Sequence, residues 1–389
     1  MAYTELEQET IQFLSRLVQC VSLSGEEQLV ASLVEEKCKS LDYDEVRRDD
    51  LGNVIATRRG ALPGASILYD SHMDTVTVAN PEQWSHAPWG GEITGGKIWG
   101  RGASDTKGSL AAMVMALGAI PRNELPGVVH VIGTVGEEII EGASLARALA
   151  TLKPDGVIIG EPTDCRLAIG QKGRARMDFI AYGRAAHTAN PEEGENPIDK
   201  TALMLQRIRQ TPQKQDPIFG AAVIEPLLIS SLPNPSTSTI PFECRISYDR
   251  RLLLGETPQT LLAEYRSLFP DLTGWQINMH QASFQTYTGL ELSVPDFHPA
   301  WLMDENSPFV QLGVQAIQSA GIAPQTYVVP YCTNGSASAG ELGLPTIIFG
   351  PSTIRMAHAV DEHIEIEELL RSLHGFISLG KTMGKFLSP

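Results

Sequence analysis

The sequence predicts an α/β domain on a mostly parallel sheet, interrupted by a smaller inserted α+β domain. Three observations predict it. The chain has 389 residues, more than a single hydrophobic core usually organises. Towards both ends, short apolar runs bounded by turn residues alternate with helix-period segments, as expected for strands buried on both faces of a parallel sheet. From about Lys172 to Phe284 the texture changes to strands and helices without that alternation. The expected division is 1–171 and 288–389 for the α/β domain and 172–287 for the insert.

The elements follow in order. Leu14, Leu17 and Val18 share one face of a first helix. A second helix is expected to open at a Ser24–Glu27 capping box, with Leu29, Val30, Leu33 and Val34 inward. Buried strands are read at Ser66–Tyr69, Val128–Val135, Gly156–Ile159 and Pro345–Phe349, with an Ala/Met/Leu-rich helix at Thr106–Leu117. In the insert, Arg174–Ala181, Phe242–Tyr248 and Gln276–Phe284 read as strands, Asn196–Gln210 and Pro258–Leu268 as helices. The α/β pattern then resumes with a helix at Ser307–Ala320, an extended run at Gln325–Val329 and a final helix at Glu365–Leu379.

Composition excludes several classes. Hydrophobic residues make up 42% and charged residues 20%, which is ordinary for a folded globular protein. The balance of 30 Lys+Arg against 46 Asp+Glu, net −16, repels phosphate backbones and anionic lipid, so neither nucleic acid nor a membrane surface is expected as a partner. The acidic N-terminal segment lacks the pattern of a signal peptide, and no window reaches the ~20 apolar residues of a membrane span. A cytoplasmic protein is expected. Its five scattered cysteines show no CxxC spacing, which argues against a disulfide framework or a thiolate metal site.

Ligands of open parallel sheets bind beyond the carboxyl ends of the strands. His72 and Asp74 follow the strand Ser66–Tyr69, Glu137 and Glu138 follow Val128–Val135, Glu161 follows Gly156–Ile159, and His358 lies after Pro345–Phe349. Asp105 stands just ahead of the helix near Thr106. Each has an ordinary reading alone: HxD is common, acidic doublets are usually solvated, and Asp105 could simply cap a helix. Together they place imidazoles and carboxylates along one sheet edge, a donor set that suits zinc and also cobalt or manganese. Two-metal hydrolases need in addition a bridging carboxylate and a general base, and the Glu137-Glu138 doublet could supply a base and a ligand if it lies in a turn.

The strings SHMDTV, GRGASDTKGSLAAM, VGEEIIEG, GEPT and AHAVDEHI, with DRRLLLGE in the insert, resemble the metallohydrolase family of acetylornithine deacetylase, succinyl-diaminopimelate desuccinylase, aminoacylase and carboxypeptidase G. The resemblance implies two divalent metals, His72 and Glu161 on one, Glu138 and His358 on the other, and Asp105 between them. It implies that Asp74 orients His72 and that Glu137 is the general base. It further implies that the insert is a lid and dimerisation domain whose histidine, here His187, reaches a partner's active site. The family arginine that binds a substrate carboxylate falls in Asp249-Arg250-Arg251, with Arg251 preferred over Arg250; a surface ion pair is the alternative for either.

The longer strings GEPTDCRLAIGQKGR, SYDRRLLLGET and YCTNGS look most like a subgroup labelled selenium-metabolism-linked hydrolases, a label that names no substrate. Two positions depart from many relatives, Ser238 where Asn is frequent and Asn334 where Asp is frequent, and both are expected to bear on substrate binding. Glu161 resembles the deacylases and carboxypeptidases, whereas Asp is commoner there in aminopeptidase-like members. The expected activity is metal-dependent hydrolysis of an amide bond in a small carboxylated N-acyl amino acid. The alternatives are a dipeptidase or carboxypeptidase of the same family and a catalytically silent homologue, against which the intact Glu137 argues.

Overall fold

The structure is a computed structural model that describes residues 3–386. Its larger sheet has nine strands in the order Glu45–Arg48, Val54–Arg59, Pro126–Thr134, Leu62–His72, Gly156–Ile159, Thr346–Ile348, Leu167–Gln171 and Trp301–Leu302, with Thr326–Val329 also paired to Leu167–Gln171. The four strands from Pro126–Thr134 to Thr346–Ile348 run parallel, and antiparallel pairs flank them.

Strand alternation explains why both faces are covered. Ile67, Tyr69, Val129, Val131, Ile158 and Ile347 enter one core, with the helices Glu5–Gln19, Lys107–Ala119, Pro308–Ser319 and Ile366–Met383. Leu68, Ile132, Val157, Ile159 and Ile348 enter the core on the other face, with Leu145, Ala148 and Leu149 of the helix Ala143–Leu152. Side chains that alternate sides must bury two apolar faces, hence the near-continuous hydrophobic runs. The helix Lys107–Ala119 is buried along twelve of its positions, as its lack of a polar face requires.

Between residues 173 and 298 the chain builds a separate antiparallel sheet, ordered Val223–Leu232, Glu243–Leu252, Gly173–Tyr182 and Trp275–Met279, with Phe297–His298 also on Gly173–Tyr182. Ala175, Met177, Phe179 and Ala181 face the helices Pro197–Gln210 and Pro258–Ser267 in a core of their own. Phe179 meets the rings of Tyr248, Tyr265 and Phe269 edge-on.

Three local expectations are corrected. The Ser24–Glu27 capping box does not form: Ser24 donates to Asp74 at 2.7 Å, Glu27 accepts from Gly136, and the helix begins at Gln28 without a side-chain cap. Leu29 points outward, 62% exposed, and the inward face is Val30, Ala31 and Val34. The single strand expected at Gln276–Phe284 is two. Trp275–Met279 stays in the inserted sheet, while Gln281–Gln285 pairs with Glu291–Pro295 and packs Ala282 and Phe284 into the main core.

Candidate active site

The four parallel strands end at one edge, and their carboxyl ends supply the site. His72 is the last residue of Leu62–His72. Pro126–Thr134 runs into the turn that carries Glu137 and Glu138, Gly156–Ile159 leads to Glu161, and Thr346–Ile348 leads to the loop of His358. Asp105 lies two residues ahead of the helix Lys107–Ala119, where Glu362, itself paired with Arg101, accepts the backbone amides of Gly102, Ser104 and Asp105.

The Glu137-Glu138 turn is shaped by its neighbours. Gly136 takes a φ of 69°, a conformation open to glycine, and a Cβ there would run into the Phe284 ring. The Gly136 amide donates to Glu27, and the amides of Glu137 and Glu138 donate to the two oxygens of Asp74, 3.1 Å in each case. Asp74 also meets the His72 ring: Nδ1 stands 2.9 Å from the Asp74 carbonyl and 3.5 Å from its carboxylate.

The expected ligands converge as two triads sharing Asp105. His72 Nε2 lies 3.2 Å from Asp105 Oδ1 and 3.7 Å from Glu161. His358 Nε2 lies 3.4 Å from Asp105 Oδ2 and 3.1 Å from Glu138. Within each triad the donor atoms all lie within 4.8 Å of one another. Glu137 stands beside them, 3.8 Å from His72 Nε2. His72 is buried whereas the side chain of His358 is 51% exposed, so the second triad opens to solvent.

Electrostatics favour a cation here. Burial pushes Glu137 and Glu161 well above the usual carboxylate range, and neighbouring carboxylates push the same way while His72 opposes them. Burial disfavours a charged His72, yet hydrogen bonds to Asp105 and Asp74 outweigh it and hold its pKa well above the ordinary value. Hydrogen bonds to Asp105 and Glu138 lift His358 to about 10. Burial would raise Asp105, but the two imidazoles overrule it and hold it low. Carboxylates crowded in a low dielectric require positive charge among them. In the protein alone imidazolium supplies it, and the nitrogen and oxygen donors also fit a divalent metal.

A cavity of about 360 Å³ opens over the triads, lined by Asp105, Glu137, Glu138, Glu161 and His358, by Glu141, Tyr331 and Cys332 of the same domain, and by Arg174, Asp249 and Arg251 of the inserted sheet. A larger, mostly apolar cavity of about 560 Å³ shares Glu141 but holds none of the ligand set. Strand alternation sends the two arginines to opposite faces. Asp249 and Arg251 share the face of the inserted sheet that lines the cavity, while Arg250 turns to the helix face, buried and bonded to Tyr265, Glu256 and Gln213. Arg250, the alternative held open on sequence, therefore does not line the cavity, whereas the preferred Arg251 does.

Three other expected residues stand elsewhere. Asn334 is buried behind the site, donating to Asp70 and Thr134 and accepting from Gly142. It braces two strands and does not line the cavity. Ser238 and His187 are exposed and sit together on the insert, where the Thr188 amide donates to the Ser238 carbonyl and His187 bridges Thr239. Neither lines the cavity of its own chain. Glu141, Arg174, Asp249, Tyr331 and Cys332 escaped sequence reasoning as wall residues, although all five lie in or next to the strings that carry the resemblance.

The class follows from this donor chemistry: paired imidazole and carboxylate triads at the mouth of an α/β sheet are those of a metal-dependent hydrolase. The chain belongs to peptidase family M20/M25/M40, whose family model matches residues 68–379. It is 32% identical over 361 residues to "Uncharacterized protein YgeY" of Escherichia coli, covering 90% of this chain and 88% of that one. It is 26% identical over 351 residues to succinyl-diaminopimelate desuccinylase of Rhodospirillum centenum, covering 86% and 84%. Among solved structures, a tripeptidase from Staphylococcus aureus superimposes with a TM-score of 0.74 at 20% identity over 96% of this chain and 98% of the other, a likeness of fold.

Proposed function

We propose that this hydrolase cleaves the amide bond of small N-acyl amino acids bearing a free carboxylate. The carrying observation is Asp105, whose two oxygens face two different imidazoles, each with a further carboxylate beside it. In this reading His72 and Glu161 would hold one zinc ion, Glu138 and His358 a second, and Asp105 both; cobalt or manganese suits the same donors. Bound metal would polarise the scissile carbonyl and lower the pKa of water.

The chain's own residues supply the remainder. Glu137, whose proton affinity is raised by burial, takes a proton from the attacking water on a carboxylate oxygen and returns it to the leaving nitrogen, so that water adds across the C–N bond to give acid and amine. Asp74 fixes the His72 ring and the turn that carries Glu137. Among the described residues Arg251 has one weak ionic partner, Asp249 at 3.6 Å, which leaves its planar fork available to a substrate carboxylate.

The same reading includes a cytoplasmic homodimer. The free cysteines, four of them buried, suit a reducing compartment. No described helix is long and apolar enough to cross a membrane. The edge strand Val223–Leu232 exposes Leu227, Leu228 and Ile229, an apolar edge suited to pairing with a second copy. His187, with Ser238 beside it, would then complete the partner's cavity.

A second reading, peptide hydrolysis, is favoured by Asp249 in the cavity wall, a carboxylate that suits a free α-amino group. Zinc-loaded protein offered N-acetyl amino acids, N-succinyl amino acids and dipeptides decides between them. Amine release from the acylated compounds is expected, and cleavage of dipeptides alone would replace the first reading with the second.

A further inference from the structure

The inserted sheet reaches the catalytic turn at Glu141, through Arg174 and, at 3.5 Å, the ring of His298. Arg174, on the strand Gly173–Tyr182, points its guanidinium across the junction to Glu141, three residues beyond Glu138, with Nε 2.5 Å from one carboxylate oxygen and an amino group on the other. The same guanidinium lies 3.0 Å from Asp296 and 3.5 Å from the carbonyl of Ile139. Asp296 is in turn 3.1 Å from His298. Glu141, Asp296 and His298 have the spacing of a metal site, but Arg174 lies among their carboxylates and supplies the compensating charge, so the cluster reads as an ionic joint.

Register gives the joint its direction. Arg251, Arg174 and His298 lie directly opposite one another on three neighbouring strands. Arg251 and Arg174 both line the cavity, and Glu141 lines it from the other domain. Glu27 on Gly136, Asp74 on Glu137 and Glu138, and Asn334 on Gly142 restrain the turn from the main α/β domain, while His298 adds a 3.5 Å contact to Glu141 from the inserted sheet.

We propose that Arg174 is a positioning residue: by clamping Glu141 it ties the Glu137-Glu138 turn to the inserted sheet, in the same cross-strand row as the cavity arginine Arg251. A bidentate arginine–carboxylate pair fixes direction as well as distance, so it can transmit small shifts of one element to another. Seating of a substrate anion on Arg251 and placement of Glu137 are thereby mechanically linked. The kinetic consequence rests on the amide-hydrolase reading above; the mechanical one does not.

The test compares zinc-loaded wild-type protein with Arg174→Gln, Glu141→Gln and the double variant. Glu141→Gln leaves Arg174 paired with Asp296, so it is informative even if Arg174→Gln fails to fold. Amide hydrogen exchange across residues 136–142 is expected to quicken about tenfold in each variant, with the sheet strands unchanged. On the N-acetyl amino acid or dipeptide that the wild type turns over, kcat is expected to fall roughly tenfold or more with KM within about threefold, and the double variant to be no worse than a single one. Unchanged exchange in that turn overturns the proposal. So does a loss confined to KM, which would make Arg174 a substrate-binding residue. If the wild type hydrolyses none of these compounds, the functional reading fails while exchange still decides the clamp.

Discussion

The carboxylate of Asp74 accepts the backbone amide of Glu137 at 3.1 Å. Its other oxygen takes the amide of Glu138 and the hydroxyl of Ser24, and its carbonyl meets His72 Nδ1. One residue thus orients a metal-competent imidazole and the turn bearing the candidate base. Asp74→Asn replaces an acceptor with a donor that faces an amide. Zinc affinity or kcat is expected to fall about 10–100-fold, read by metal titration and by kinetics at saturating zinc. Full retention of both would remove Asp74 from the site's support.

Glu137→Gln keeps the shape of the turn and removes the proton carrier. Turnover should fall by roughly 10²–10⁴-fold while the protein still binds two zinc ions per chain. Loss of metal along with activity would instead make Glu137 a ligand.

Metal uptake should release protons. Without metal, hydrogen bonds to Asp105 and Glu138 hold His358 at about 10, so at neutral pH the ring is imidazolium and must deprotonate to ligate. Apparent zinc affinity should therefore rise with pH, about tenfold per unit for each proton released. The sign for the metal-free fold is opposite: a base with a raised pKa contributes stability that is complete below the ordinary histidine pKa and is lost as pH climbs towards about 10. Calorimetric titration of zinc at pH 7 in Hepes and in Tris, which differ in ionisation enthalpy, counts the protons. At least one is expected, and none would contradict the electrostatics described.

Neighbouring arginines should behave differently. Arg250 is fully buried against Glu256 and Tyr265, so Arg250→Met leaves the buried Glu256 carboxylate with only the longer ionic contact to Lys214 at 3.6 Å among the described residues and should cost roughly 3 kcal/mol of stability. Arg251→Met, at the cavity wall, should leave stability within about 1 kcal/mol and raise KM for carboxylated substrates. Urea unfolding and steady-state kinetics on the two variants separate the roles, and reversed phenotypes would return Arg250 to the binding site.

Much of this was legible because strands declare themselves by apolar runs and metal-competent residues cluster where those runs end. His72, Glu138, Glu161 and His358 could be placed on one edge without coordinates. What sequence could not supply was competition for hydrogen bonds: Ser24 and Glu27 match a capping box locally but are drawn to Asp74 and Gly136. The break at His280 was hidden because Trp275–Met279 and Gln281–Gln285 share β-type composition while belonging to different sheets. Arg250 and Arg251 could have been separated by the period of two along their strand. Arg174 could not, since its partners Glu141 and Asp296 lie 33 residues before it and far after it in the chain.

The shared Asp105 is tested most directly by anomalous X-ray diffraction from crystals of the zinc-loaded protein. Two peaks are expected, one among His72, Glu161 and Asp105, the other among His358, Glu138 and Asp105. A single peak, or zinc bound away from Asp105, would contradict the dinuclear reading.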